Sequence, residues 1–92
     1  MLEIKNQNFD KGFARFQEAI EITKTQYGKY SNELLNITIS YAQALEEALK
    51  KTEALNIWKD VEKIAKKILP KNSVLLLNIK NKVIILNKDL NS

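Results

Sequence analysis

The 92-residue chain has no cysteine and no histidine, one proline, two glycines and one arginine. Without cysteine there is no disulfide framework, no thiol nucleophile and no thiolate-bound zinc. Without histidine the usual general base and the commonest metal ligand are missing as well. Most enzyme classes are thereby disfavoured, and neither a catalytic residue, a metal nor a cofactor is expected. Gly12, Gly28 and Pro70 supply too little turn chemistry for a many-stranded β protein, so helices are the default. No window of about 18 apolar residues occurs, because the most apolar stretch, 73–86, carries Lys80 and Lys82; no membrane span is expected. The start, Met1-Leu2-Glu3-Ile4-Lys5-Asn6, has an early acid and no apolar core of a secretory signal. The expectation is a cytoplasmic protein, free or associated with the cytoskeleton or another complex.

The chain is 45% hydrophobic and 28% charged. Its length suits one small domain or a piece of a longer array. A chain of this size buries only about 60–65% of its unfolded surface, so neighbours are expected to cover its ends. Residues 1–46 hold five basic and six acidic side chains, and residues 47–92 hold ten and five. The second half is basic enough to meet an acidic partner. All but Arg15 of the 15 basic residues are lysine, however, and phosphate and base readout favour the arginine fork, which argues against nucleic acid as the partner.

Apolar spacing predicts four helices at about 9–27, 31–50, 52–69 and 73–89. The first carries Phe9, Phe13, Phe16, Ala19 and Ile20 on one face, continued by Thr23 and Tyr27, and ends at Gly28. Ser31 caps the second, with Glu33 in its first turn and Leu34, Ile37, Tyr41, Leu45 and Leu49 facing inward. Thr52 caps the third, whose inner face is Ala54, Leu55, Trp58, Val61, Ala65 and Ile68, and Pro70 stops it. Ser73 caps the fourth, with Leu76, Leu77, Val83, Ile84 and Leu86 inward. Val74–Leu77 and Val83–Leu86 would also suit buried strands, and periodicity alone does not separate the two for short apolar runs.

The choice of helix follows from an internal repeat of 42 residues. Phe16-Gln17-Glu18-Ala19-Ile20-Glu21-Ile22 falls on Trp58-Lys59-Asp60-Val61-Glu62-Lys63-Ile64, aromatic on aromatic and acid on acid. Beyond it Lys24 falls on Lys66, Lys29 on Lys71, Ser31 on Ser73, and Leu35-Asn36-Ile37 on Leu77-Asn78-Ile79. The break itself recurs, Tyr27-Gly28 against Leu69-Pro70. Generic amphipathic similarity would repeat the apolar stripe but not the caps. Each unit is then a helix pair that buries its faces by stacking.

These residues resemble the tetratricopeptide repeat family, in the longer 42-residue form seen in kinesin light chains. The resemblance rests on Phe9-Asp10-Lys11-Gly12-Phe13 followed by Phe16 and Ala19, on Ala54-Leu55 followed by Trp58 and Val61, on Tyr41, Ala42 and Leu45 in the helix between, and on the connector Leu69-Pro70-Lys71-Asn72-Ser73. Lys51 departs from the family's aromatic at the start of a unit, and Ile84 is large where a small residue is usual. The resemblance implies an all-α fold, an α-solenoid of about two helix-turn-helix repeats in which four antiparallel helices form a right-handed superhelical stack. It also implies a noncatalytic scaffold that binds a peptide or helix on its concave face or stacks end-on with further repeats. Carried over by position, the concave face is Asn36, Ile39, Ser40, Gln43 and Glu46 in one unit and Asn78, Asn81, Lys82, Ile85 and Lys88 in the next. Asn and Gln suit a peptide backbone because each side chain both donates and accepts.

Two further readings bear on chemistry. The acidic pairs Glu46-Glu47 and Asp60/Glu62 are read as solvated, since helical neighbours diverge by about 100° and Lys50 lies one turn beyond Glu46 as an ion-pair partner. Ser31 and Ser73 have no histidine to activate them and suit capping. The alternative function is a small basic helical module for nucleic acid or an acidic surface, using Lys50, Lys51, Lys59, Lys63, Lys66, Lys67 and Lys71, of which Lys59, Lys63, Lys66 and Lys67 share a face.

Overall fold

A computed structural model describes residues 2–91, with side chains from Lys11 onward. The apolar role expected of Phe9 therefore lies outside the described side chains. The chain is all-α, with α1 at Leu2–Tyr27, α2 at Asn32–Glu47, α3 at Lys51–Ile68 and α4 at Val74–Asn91. The apolar runs of the fourth segment are helical, and among the described residues there is no strand. Each helix packs on the next in chain order, α1 on α2, α2 on α3 and α3 on α4, and among the described residues no other pair of helix backbones comes into contact. The Cα trace fills a slab of 44 × 37 × 16 Å. No helix among the described residues is long and apolar enough to cross a membrane.

The helix ends show why the chain breaks where it does. Gly28 closes α1 at φ 91°, its N–H donating to Lys24 O at 2.9 Å; glycine adopts that backbone without a Cβ penalty. Ser31 and Ser73 then cap α2 and α4 in the same way, each Oγ accepting from the backbone three residues on, Leu34 N at 3.1 Å and Leu76 N at 3.3 Å. The two caps are 42 residues apart, so the repeat read from the sequence is also a repeat of local structure. Leu69, held extended ahead of Pro70, ends α3.

Three boundaries differ from expectation. α1 reaches back to Leu2, about two turns before the start that the spacing predicts. α2 stops at Glu47 because Lys50 N–H bonds Leu45 O and Leu49 N–H bonds Glu46 O, both at 2.9 Å, in a Schellman closure. Leu49 takes the left-handed position of that closure at φ 60° and is 79% exposed, so it is not part of the apolar face. α3 consequently begins at Lys51, its cap residue is Lys50 without a side-chain bond, and Thr52 lies in the first turn rather than at the cap.

The core is one cluster running through all four helices: Phe13; Leu34, Leu35, Tyr41, Ala42 and Leu45; Ala54, Leu55, Trp58, Val61, Ile64 and Ala65; Leu76, Ile79 and Leu86. Tyr41 joins α1 to α2, its ring stacked on Phe16 at 5.5 Å and tilted to Phe13 at 6.0 Å, while its hydroxyl accepts from Gln17 Nε2 at 2.9 Å. Thr38, the buried polar residue, returns its hydroxyl to Leu34 O at 2.6 Å. Tyr27, Leu77 and Ile84, expected inside, are exposed. Leu77 and Ile84 keep the apolar period, but among the described residues no helix packs against that side of α4, and Tyr27 is the last residue of α1.

Candidate functional site

The ten positions carried over from the family pattern form two rows with successive steps of three, one, three and three residues, one along α2 and one along α4. None belongs to the buried core. Asn36, Ser40, Gln43, Asn78, Asn81, Ile85 and Lys88 are exposed, and Ile39, Glu46 and Lys82 are half-buried. Ser40 is occupied locally, its Oγ donating to Asn36 O at 3.2 Å.

The two rows meet at one point. Glu46 Oε2 lies 3.3 Å from Lys82 Nζ, which bridges α2 and α4, and Glu46 Oε1 accepts the Trp58 indole N–H at 2.6 Å from α3 between them. Lys82 also sits 5.9 Å above the Trp58 ring. The buried indole is thereby satisfied, and one carboxylate, one ammonium and one ring tie three helices together. The side chains of Glu46 and Lys82 are 25% and 40% exposed, so this pair is screened and its value lies in aligning the helices more than in raw Coulomb energy. Glu46 is therefore not paired with Lys50, as its one-turn spacing implies. Lys50 instead lies 5.9 Å over the Phe13 ring. Spacing along one helix does not reveal a partner on a helix 36 residues away.

A second feature was not legible in the sequence. Lys24 at the end of α1, Lys29 and Tyr30 in the following loop, and Asp60 and Lys63 on α3 converge around a cleft of about 320 Å³ floored by Ile20, Leu34, Ile57 and Ile64. Lys67 covers the Tyr30 ring at 5.7 Å, and Lys66 pairs with Glu62 at 3.2 Å. Lys59, Lys63, Lys66 and Lys67 are all exposed on α3, as their spacing predicts. Asp60 and Glu62 stand among them, which breaks the single-sign surface that phosphate binding needs.

Asp60 and Glu62 point apart on α3, one exposed and one half-buried, and Glu46 and Glu47 likewise diverge. Among the described residues no three carboxylates come together at metal-binding distance. Ser31 and Ser73 are engaged as caps. Comparison with protein-family models, with curated proteins and with solved structures gives no match.

Proposed function

We propose that the chain is a noncatalytic protein-interaction module of tetratricopeptide type. Its α2–α4 side binds an extended peptide or a partner helix, and its ends stack on further repeats. The observation that carries this reading is the pair of amide-rich exposed rows, Asn36 with Gln43 and Asn78 with Asn81, held on one side of α3 by the Glu46–Lys82–Trp58 contact. Side-chain amides spaced along a helix face give a main chain both donors and acceptors, and the half-buried Ile39 and exposed Ile85 offer apolar contact beside them. Glu46 and Lys82 contribute by fixing the distance between the rows.

The test is selection of peptides from a random library on the immobilised chain. Binders should lose affinity when Asn36 and Asn78 are both replaced by alanine, with helix content unchanged, and should hold their affinity between 50 and 200 mM salt. Ligands that prove to be nucleic acids or polyanions, with affinity collapsing over that salt range, would replace this reading with the basic-module one.

A further inference from the structure

The repeat indicates what covers the two end faces of the chain. On α2 the row Leu35, Thr38, Ala42 and Leu45 is buried, whereas its repeat mates on α4 are Leu77, 58% exposed, Lys80, Ile84, 51% exposed, and the exposed Asn87. The other row of α2, Leu34, Ile37 and Tyr41, has mates Leu76, Ile79 and Val83 that stay buried or half-buried. Since the α2 backbone packs against both α1 and α3, while among the described residues the α4 backbone packs against α3 alone, the uncovered row of α4 lies on the side that on α2 meets the next helix.

The opposite end is its counterpart. Ala54, Val61 and Ile64 on α3 are 0%, 0% and 8% exposed, but their mates on α1 are the half-buried Gly12 and Ala19 and the 52% exposed Ile22. A Cβ at Gly12 would meet nothing within 4 Å, and Gly12, Phe16 and Ala19 line a hollow of about 340 Å³ with Arg15 and Ile37. The free faces of α4 and α1 are thus the two halves of the α2–α3 interface, set at opposite ends of one chain. Their sizes are also shifted in opposite directions. Ile84 stands where α2 has Ala42, while Gly12 and Ala19 stand where α3 has Ala54 and Val61. Volume added on one side and removed on the other is the pattern a close-packed interface requires.

We propose that a second copy of this chain docks head to tail, α1 of one copy taking the place beside α4 of the next that α3 holds beside α2. The inference rests on the end-on stacking proposed above and names the chain itself as the occupant. Such a contact is heterologous and leaves one face of each kind free, so it grows beyond a dimer.

Sedimentation equilibrium over a range of concentration decides it, with Gly12→Lys blocking the α1 face and Ile84→Lys the α4 face. Gly12→Lys fills open space in the single chain and favours the helix. The native chain should rise past twice its 10.6 kDa mass, each variant alone should stay at 10.6 kDa, and an equimolar mixture of the two should stop at twice that mass. Should Ile84→Lys reduce the helical circular dichroism, Ile84→Gln replaces it. A native chain that stays at 10.6 kDa up to millimolar concentration overturns the proposal, as does a Gly12→Lys variant that assembles like the native chain, which would mean α4 packs on α4. Peptide binding through Asn36 and Asn78 is measured separately on Gly12→Lys. Its loss would overturn the peptide reading alone, and its survival without self-association in the native chain would overturn the head-to-tail contact alone.

Discussion

The inner helices α2 and α3 and the outer helices α1 and α4 come from the same 42-residue unit, yet mates at equal positions have different burial. Leu35 is 2% exposed and Leu77 58%; Ile64 is 8% exposed and Ile22 52%. The residue types are the same within each pair, so burial here is set by the number of neighbouring helices and not by hydrophobicity. In a solenoid each unit's stability is a sum of its own terms and its contacts with adjacent units. An outer helix makes one set of contacts and an inner helix two. The same substitution at mate positions therefore measures the missing neighbour directly.

The largest difference is expected at the aromatic pair. Trp58→Ala should lower the unfolding free energy by about 3–5 kcal/mol, because it removes a buried ring and leaves Glu46 without its indole donor. Phe16→Ala, at the half-buried mate stacked on Tyr41, should lower it by about 1–3 kcal/mol. Urea unfolding followed by circular dichroism measures both, and a Trp58 loss below about 1 kcal/mol would remove the ring from the core. Leu35→Ala against Leu77→Ala is the stricter comparison, since one residue type occupies both positions. A loss of about 2–5 kcal/mol is expected at Leu35 and less than about 1 at Leu77, measured where the chain is monomeric. Equal losses would mean that α4 is as covered as α2.

Most of the architecture was legible because it depends on local rules. Gly28, Ser31, Pro70 and Ser73 act within one helical turn, and the two serines cap where the repeat places them. The class of the fourth segment, undecided by apolar spacing alone, followed from its mate α2. What was not legible depends on neighbours distant in sequence. Leu77 and Ile84 satisfy the apolar period but have no helix opposite them among the described residues. Leu49 ends a helix in a left-handed position that favours glycine, and nothing in its own chemistry announces that. The candidate rows on α2 and α4 could be carried over by position. That Glu46 would meet Trp58 and Lys82 and not Lys50, or that Lys24, Lys29 and Lys63 would gather around one cleft, required the packing itself.

The caps give a case in which inner and outer position should not matter. Ser31→Ala and Ser73→Ala each remove one acceptor from the first turn of a helix, at α2 and α4 respectively. Each should cost about 1 kcal/mol, and the two losses should agree, because a cap bond is satisfied within its own turn whatever lies beside the helix. A Ser73 loss much smaller than that at Ser31 would show that the first turn of α4 frays in solution, so that outer helices are weakened locally as well as through packing.

The smallest effect separates the two ends most sharply because its sign changes. Gly12 and Ala54 are repeat mates within helices, and Ala54 is fully buried while Gly12 faces open space. Gly12→Ala places a methyl where nothing stands within 4 Å and removes the conformational freedom that glycine gives the unfolded chain, so stability should rise by about 0.5–1 kcal/mol. Ala54→Gly should lower it by at least that amount, since helix propensity and a buried methyl are lost together. If the chain stacks head to tail, the gain at Gly12 holds in the monomer, while the added methyl should weaken assembly, because the approaching helix meets a Cβ where the native chain has none. Unfolding at low concentration and sedimentation at high concentration should then move in opposite directions for this single substitution. Stability rising with assembly unchanged would show that Gly12 faces solvent in every state, and that its small size is unrelated to a neighbouring helix.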